Sequence, residues 1–176
     1  SSNAKRLMIY FHGGGWVIGN IDDYDAVGRH LAEACQSVVV MVNYRKAPEH
    51  PFPTPVNDCY SALEWIDKNR AIVGGDSLPL VVAGDSAGGN LATVVAMRAR
   101  DENGPHIDLQ ALVYPVTDGA MAGSSWGDDD KQLFLTSDLM AHFWEHYADP
   151  ASRLNPMVSP LHAKSLHNLP PAVVLT

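Results

Sequence analysis

The sequence predicts an α/β fold, a mainly parallel sheet of about five strands flanked by helices. Three observations predict it. Short aliphatic runs alternate along the chain with longer segments of helical periodicity. Glycine or proline punctuates most of the junctions between them. The 176 residues are 46% hydrophobic and 18% charged, enough for one domain with a sizeable core.

Leu7-Met8-Ile9-Tyr10-Phe11 is a short apolar run bounded by a glycine cluster and reads as a buried strand. A helix then opens at Asp22 or Asp23. Its Val27, Leu31 and Ala34 recur at helical spacing, and its early aspartates suit the positive end of the helix dipole. Ser37 to Tyr44 contains Val38-Val39-Val40-Met41-Val42, the pattern of a strand covered on both faces. The loop Ala47-Pro48-Glu49-His50-Pro51-Phe52-Pro53 cannot be helical, because each proline lacks an N–H and restricts the residue before it. Ala62, Leu63, Trp65 and Ile66 lie on a helix closed by Gly74-Gly75.

Leu80-Val81-Val82-Ala83 is the third strand, and Ser86 to Arg100 a helix rich in Ala, Val and Leu. Leu109 to Tyr114 is a fourth strand, stopped by Pro115. From 116 to 160 the rhythm breaks. An acidic loop around Asp128-Asp129-Asp130 precedes a helix from about Ser137 to Tyr147, and the region reads as an irregular insertion near the active site. Ala172-Val173-Val174-Leu175, after Pro170-Pro171, is a fifth strand. Ser1-Ser2-Asn3-Ala4 reads as an expression scar, which leaves 5–176 as the domain.

The net charge of −8, with acids and bases interspersed, disfavours nucleic acid and anionic membrane surfaces as partners. No apolar run approaches the roughly 20 residues that span a bilayer. Cys35 and Cys59 read as reduced core thiols. With no signal peptide evident, these features point to a cytoplasmic location.

The strongest local signal is Gly84-Asp85-Ser86-Ala87-Gly88, a G-x-S-x-G between a strand and a helix. The chain must reverse sharply there while presenting the hydroxyl outward, and side chains at either glycine would clash. The turn also sets Ser86 at a helix N-terminus, where free amides favour developing negative charge. The amide of Ala87 is the expected first oxyanion donor.

His12-Gly13-Gly14-Gly15-Trp16 follows a strand end, and its consecutive glycines let backbone amides approach a tetrahedral oxyanion. A phosphate-binding loop is the competing reading. Gly13, Gly15 and Gly19 miss the dinucleotide spacing, and no G-K-[ST] follows. His12 precedes the nucleophile, whereas α/β hydrolases place their base after it, so it reads as an orienting residue. His142-Phe143-Trp144-Glu145-His146 spells the inverted zinc-peptidase pattern, but no Glu follows Glu145 to complete a site. It reads as a helix whose Phe143 and Trp144 pack inward, and no metal is assigned.

Three segments together resemble the hormone-sensitive-lipase-like family of α/β hydrolases. They are His12 to Trp16, Tyr44-Arg45-Lys46-Ala47-Pro48-Glu49-His50-Pro51-Phe52-Pro53, and Gly84-Asp85-Ser86-Ala87-Gly88-Gly89-Asn90-Leu91-Ala92. Tyr114-Pro115 and Leu169-Pro170-Pro171-Ala172 sit where that family has similar segments, and Lys46 departs from its usual leucine. The resemblance implies a serine carboxylesterase acting on short acyl esters through an acyl-enzyme, without metal or cofactor. It implies Ser86 as nucleophile and the amides of Gly14, Gly15 and Ala87 as the oxyanion hole, with the proline-rich loop bracing the nucleophile turn. Trp16 and Trp126 are candidates for the substrate pocket by position.

The resemblance also implies a core truncated at both ends: a cap and two strands before Leu7, and the triad's acid and His beyond Thr176. The outer strands would then be open edges through which copies of the chain could associate. The acids and histidines after Ser86 are not placed as the family's pair would be. Two alternatives stay open on the same fold, a catalytically silent small-molecule receptor and a related amide or formamide hydrolase.

Overall fold

A computed structural model describes residues 3–122 and 134–176. Its strands are β1 (Arg6–Phe11), β2 (Ser37–Val42), β3 (Leu80–Asp85), β4 (Leu109–Val113) and β5 (Ala172–Leu175). They form one sheet in the order β2-β1-β3-β4-β5, and every pairing is parallel. The helices are α1 (Asp25–Ala34), α2 (Thr54–Lys68), α3 (Ala87–Asp101) and α4 (Ser137–Tyr147), with a short 3-10 turn at Pro160–His162.

The period-two alternation of strand side chains divides β1 and β3 between two cores. Leu7, Ile9, Phe11, Leu80 and Val82 face α2 and α3, where they meet Cys59, Leu63, Leu91 and Val95. Met8, Tyr10, Val81 and Ala83 face the other side, against Tyr24 and Leu31. Each fully buried aliphatic side chain contributes about 1.5–3 kcal/mol, and the first cluster is much the larger. Both cysteines are free thiols.

In the sheet of this chain β2 is an outer strand, half-buried from Val38 to Val42. Two expectations change. α1 starts at Asp25, because Asn20 Oδ1 accepts the amides of Asp22 and Asp23 and holds that stretch as a turn. α2 ends at Lys68, and turns carry the chain on to Gly74. α4 spans the expected residues, capped by Thr136 Oγ1 accepting the Leu139 amide at 3.2 Å. Among the described residues no helix is long and apolar enough to cross a membrane.

The topology fixes where a ligand can sit. β1 leads through α1 to β2 on one side, and β3 leads through α3 to β4 on the other. The neighbours β1 and β3 therefore send their outgoing loops in opposite directions. The crevice opened at their carboxyl ends is the usual ligand site of an open parallel sheet. The glycine loop leaves β1 there, and Ser86 leaves β3.

Candidate active site

Ser86 joins β3 to α3 with φ +51° and ψ −117°, a left-handed φ that costs a non-glycine residue about 1–3 kcal/mol. The surroundings enforce it. A Cβ on Gly88 would lie 1.9 Å from the Phe11 carbonyl oxygen, and one on Gly84 would lie 2.4 Å from the Gly88 carbonyl. Both motif glycines are thus required by the pressing of this corner onto the end of β1. Backbone bonds bracket the turn: Ser86 N donates to Val113 O at 2.9 Å, and Ser86 O accepts from Asn90 N and Val116 N. Ser86 is partly exposed while Asp85 and Ala87 beside it are buried. No described residue hydrogen-bonds its hydroxyl.

The glycine loop is folded by its own glycines. Gly14 has φ +110° and Gly15 φ +58°. Gly14 O accepts the amides of Val17 and Ile18, and a Cβ at Gly14 would strike Ile18 O at 2.2 Å. The amides of Gly14, Gly15 and Ala87 have no acceptor among the described residues, as an oxyanion hole requires. Gly15 lies beneath the ring of Phe143 on α4, which a Cβ there would meet at 2.3 Å. Gly14 remains partly exposed beside it.

His12 is fully buried, stacked on Tyr44 with ring centroids 4.4 Å apart. Its Nδ1 donates to Gly13 O at 2.7 Å, and burial lowers its pKa, so the ring is neutral and held within the loop. That is an orienting arrangement. The proline-rich loop supports this same segment: Ala47 N donates to Trp16 O and Tyr44 Oη to His12 O, while Phe52 N donates to Tyr147 O on α4. Its contacts brace the glycine loop rather than the nucleophile turn directly.

Trp16 is fully buried, stacked on Tyr147 at 4.2 Å and tilted against Trp144 at 4.7 Å. The structure places it in the core behind the glycine loop, away from solvent. Trp126 and Asp128-Asp129-Asp130 lie outside the described residues. The His142 and His146 rings meet edge to face on α4, centroids 4.4 Å apart, and no group of three metal-ligating side chains occurs among the described residues. His162 Nε2 lies 2.9 Å from Asp118 Oδ1, a pair that ties the 3-10 turn to the segment after β4. Neither residue of that pair hydrogen-bonds Ser86.

Three side chains to which the sequence assigned no role in the site shape it. Asp85 connects the nucleophile turn to the glycine loop by accepting the Gly13 amide at 3.0 Å. Asn90 is fully buried on α3, and its Nδ2 donates to Val116 O and Val158 O, both at 2.8 Å. Phe143 closes over Gly15. An acid inside G-x-S-x-G and an amide on an apolar helix face were the available signals for the first two.

Residues 8–176 match a protein family described as α/β hydrolase fold. A carboxylesterase of Mycobacterium tuberculosis is 39% identical over 175 residues, covering 97% of this chain and 54% of that protein. An arylesterase of Saccharolobus solfataricus is 38% identical over 172 residues, covering 97% of this chain and 56% of its own length. Among solved structures, a hyperthermophilic esterase from Pyrobaculum calidifontis superposes with a TM-score of 0.91 at 42% identity, covering 98% of this chain and 57% of that one. The chain spans about half the length of the curated relatives it matches.

Proposed function

The chain belongs to the α/β-hydrolase fold family, in its hormone-sensitive-lipase-like branch, and we propose that the whole protein is a serine carboxylesterase acting on short-chain acyl esters. One observation carries this reading: a partly exposed Ser86 on a strained β-to-α corner, bonded through the adjacent Asp85 to the glycine loop, with no partner among the described residues for its hydroxyl or for the Gly14 and Gly15 amides.

In this reading Ser86 Oγ attacks the ester carbonyl carbon. Its proton passes to a histidine of the whole protein, which then protonates the departing alcohol. The negative charge on the tetrahedral oxygen is met by the amides of Gly14, Gly15 and Ala87, each donor worth about 3 kcal/mol or more in the transition state. Water activated by the same histidine hydrolyses the acyl-enzyme and returns the proton to Ser86. The dipole of α3 adds to the field at the oxyanion. The names of the carboxylesterase and arylesterase relatives support ester over amide substrates.

The test is turnover of p-nitrophenyl acetate and butyrate by the whole protein, beside an anilide of matched acyl length and beside Ser86→Ala. The expected result is ester hydrolysis in preference to the anilide, lost in the variant. Binding without turnover would favour a silent receptor, and preference for the anilide an amidase.

A further inference from the structure

Asp85 is a buried carboxylate, 9% exposed, with which no Lys or Arg among the described residues forms an ion pair. It is satisfied instead by three neutral donors. Tyr10 Oη donates to Oδ1 at 2.8 Å, Gly13 N donates to the same oxygen at 3.0 Å, and Tyr24 Oη donates to Oδ2 at 2.9 Å. Burial, followed by the Asp85 charge, raises the pKa of both phenols, so they stay protonated as donors through the neutral range. Burying a carboxylate without a cation costs several kcal/mol before its bonds are counted, and apolar packing would serve stability as well. The placement therefore asks for another reason.

Geometry supplies one. Asp85 precedes Ser86 directly, and its Oδ1 holds the amide of Gly13, which precedes Gly14. One carboxylate thus spans the gap between the nucleophile turn and the loop that offers the oxyanion amides. Gly13 is shaped for it: a Cβ there would lie 2.3 Å from Asp85 Oδ2 and 3.0 Å from Tyr24 Oη. Tyr10 comes from β1 and Tyr24 from the turn before α1, so the carboxylate is fixed from two further directions. A charge-assisted bond is about twice as strong as a neutral one, and a misplacement of about 1 Å at such a site costs on the order of 100-fold in rate.

We propose that Asp85, clamped by Tyr10 and Tyr24, is a positioning residue that sets the register of the glycine loop on Ser86 and so pre-organises the oxyanion hole. This rests on the esterase reading above. It acts through the Gly13 amide and touches no reacting atom.

The experiment compares the whole protein with Asp85→Ala, Asp85→Asn and Tyr24→Phe on p-nitrophenyl butyrate, with turnover expressed per site titrated by a fluorophosphonate. A matched trifluoromethyl ketone, which forms an anionic hemiketal on a reactive serine, reports the oxyanion hole. The expected per-site kcat of Asp85→Ala is about 100-fold down with KM within about 3-fold, and inhibition by the ketone weakens in parallel. Asp85→Asn keeps an acceptor for Gly13 and recovers part of the loss, and Tyr24→Phe loses less than about 10-fold. A purely structural role would reduce the number of titrated sites and leave per-site kcat unchanged.

Per-site kcat of Asp85→Ala within about 3-fold of the parent, or a loss carried wholly by KM, overturns the proposal. If Asp85→Ala does not fold, Asp85→Asn and Tyr24→Phe decide, and full per-site kcat with undiminished ketone inhibition in both overturns it. Ser86→Ala run in parallel separates the two readings. Turnover surviving in that variant removes the esterase reading, whereas a dead Ser86→Ala beside an undiminished Asp85→Ala removes only the brace.

Discussion

Gly88 is packed against Phe11 so closely that a methyl group on its Cα would sit 1.9 Å from the Phe11 carbonyl oxygen. This contact, between the first turn of α3 and the last residue of β1, brings the Ser86 corner and the glycine loop together. Backbone cannot yield there as a flexible side chain would. Gly88→Ala is expected to destabilise the whole protein by about 3 kcal/mol, read as a lower urea midpoint at unchanged slope.

Asn90 holds the far side of the corner. Replacing it by Ala leaves the half-buried Val116 carbonyl and the buried Val158 carbonyl without the donor the Asn90 amide supplies to both. The expected loss is about 2–4 kcal/mol, measured by denaturant unfolding. Asn90→Asp, which turns a donor into a third acceptor among carbonyls, is expected to be at least as damaging.

The Gly15–Phe143 contact couples α4 to the glycine loop. Gly15→Ala must displace the Phe143 ring and also strain a residue at φ +58°. Its kcat/KM is expected to fall about 100-fold. Phe143→Ala in that background should restore part of the loss, a non-additive result that a double-mutant cycle reads directly. Additive losses would mean that the ring and the loop act independently.

Arg45 and Asp58 supply a pH-dependent clamp under the proline-rich loop. Arg45 donates to Asp58 through its backbone amide and two guanidinium nitrogens. The guanidinium bond holds the Asp58 pKa below its ordinary 3.8, against the opposing effect of burial. A depressed carboxylate pKa gives stability that is complete above the unfolded value and lost as pH falls through the folded one. Because the guanidinium is largely exposed, solvent screens the pair and the contribution is small. Arg45→Met should therefore lower stability near neutral pH and converge with the parent below pH 3.8. A gap that persists at the acid end would contradict the assignment.

Much of the fold was legible because its signals are local. The runs of β1, β3 and β5, the Ala-rich α3 and the Thr136-capped α4 each carry periodicity and punctuation within a dozen or so residues. G-x-S-x-G and the triple glycine lie at strand ends, so Ser86 and its expected oxyanion donors could be named from sequence. What failed to show is long-range. The partners of Asp85 lie 75, 72 and 61 residues away in sequence. Trp16 looked like a pocket residue until its stacking on Tyr147, at the far end of α4, placed it in the core.

Covalent labelling reads whether the side chain of residue 86 is the nucleophile. The whole protein is treated with a fluorophosphonate, digested, and the modified peptide sequenced by mass spectrometry. The expected result is a single stoichiometric adduct on Ser86, formed with loss of fluoride and absent from Ser86→Ala. A Ser86 that stays unmodified while ester turnover is blocked, or an adduct carried by another residue, would contradict it.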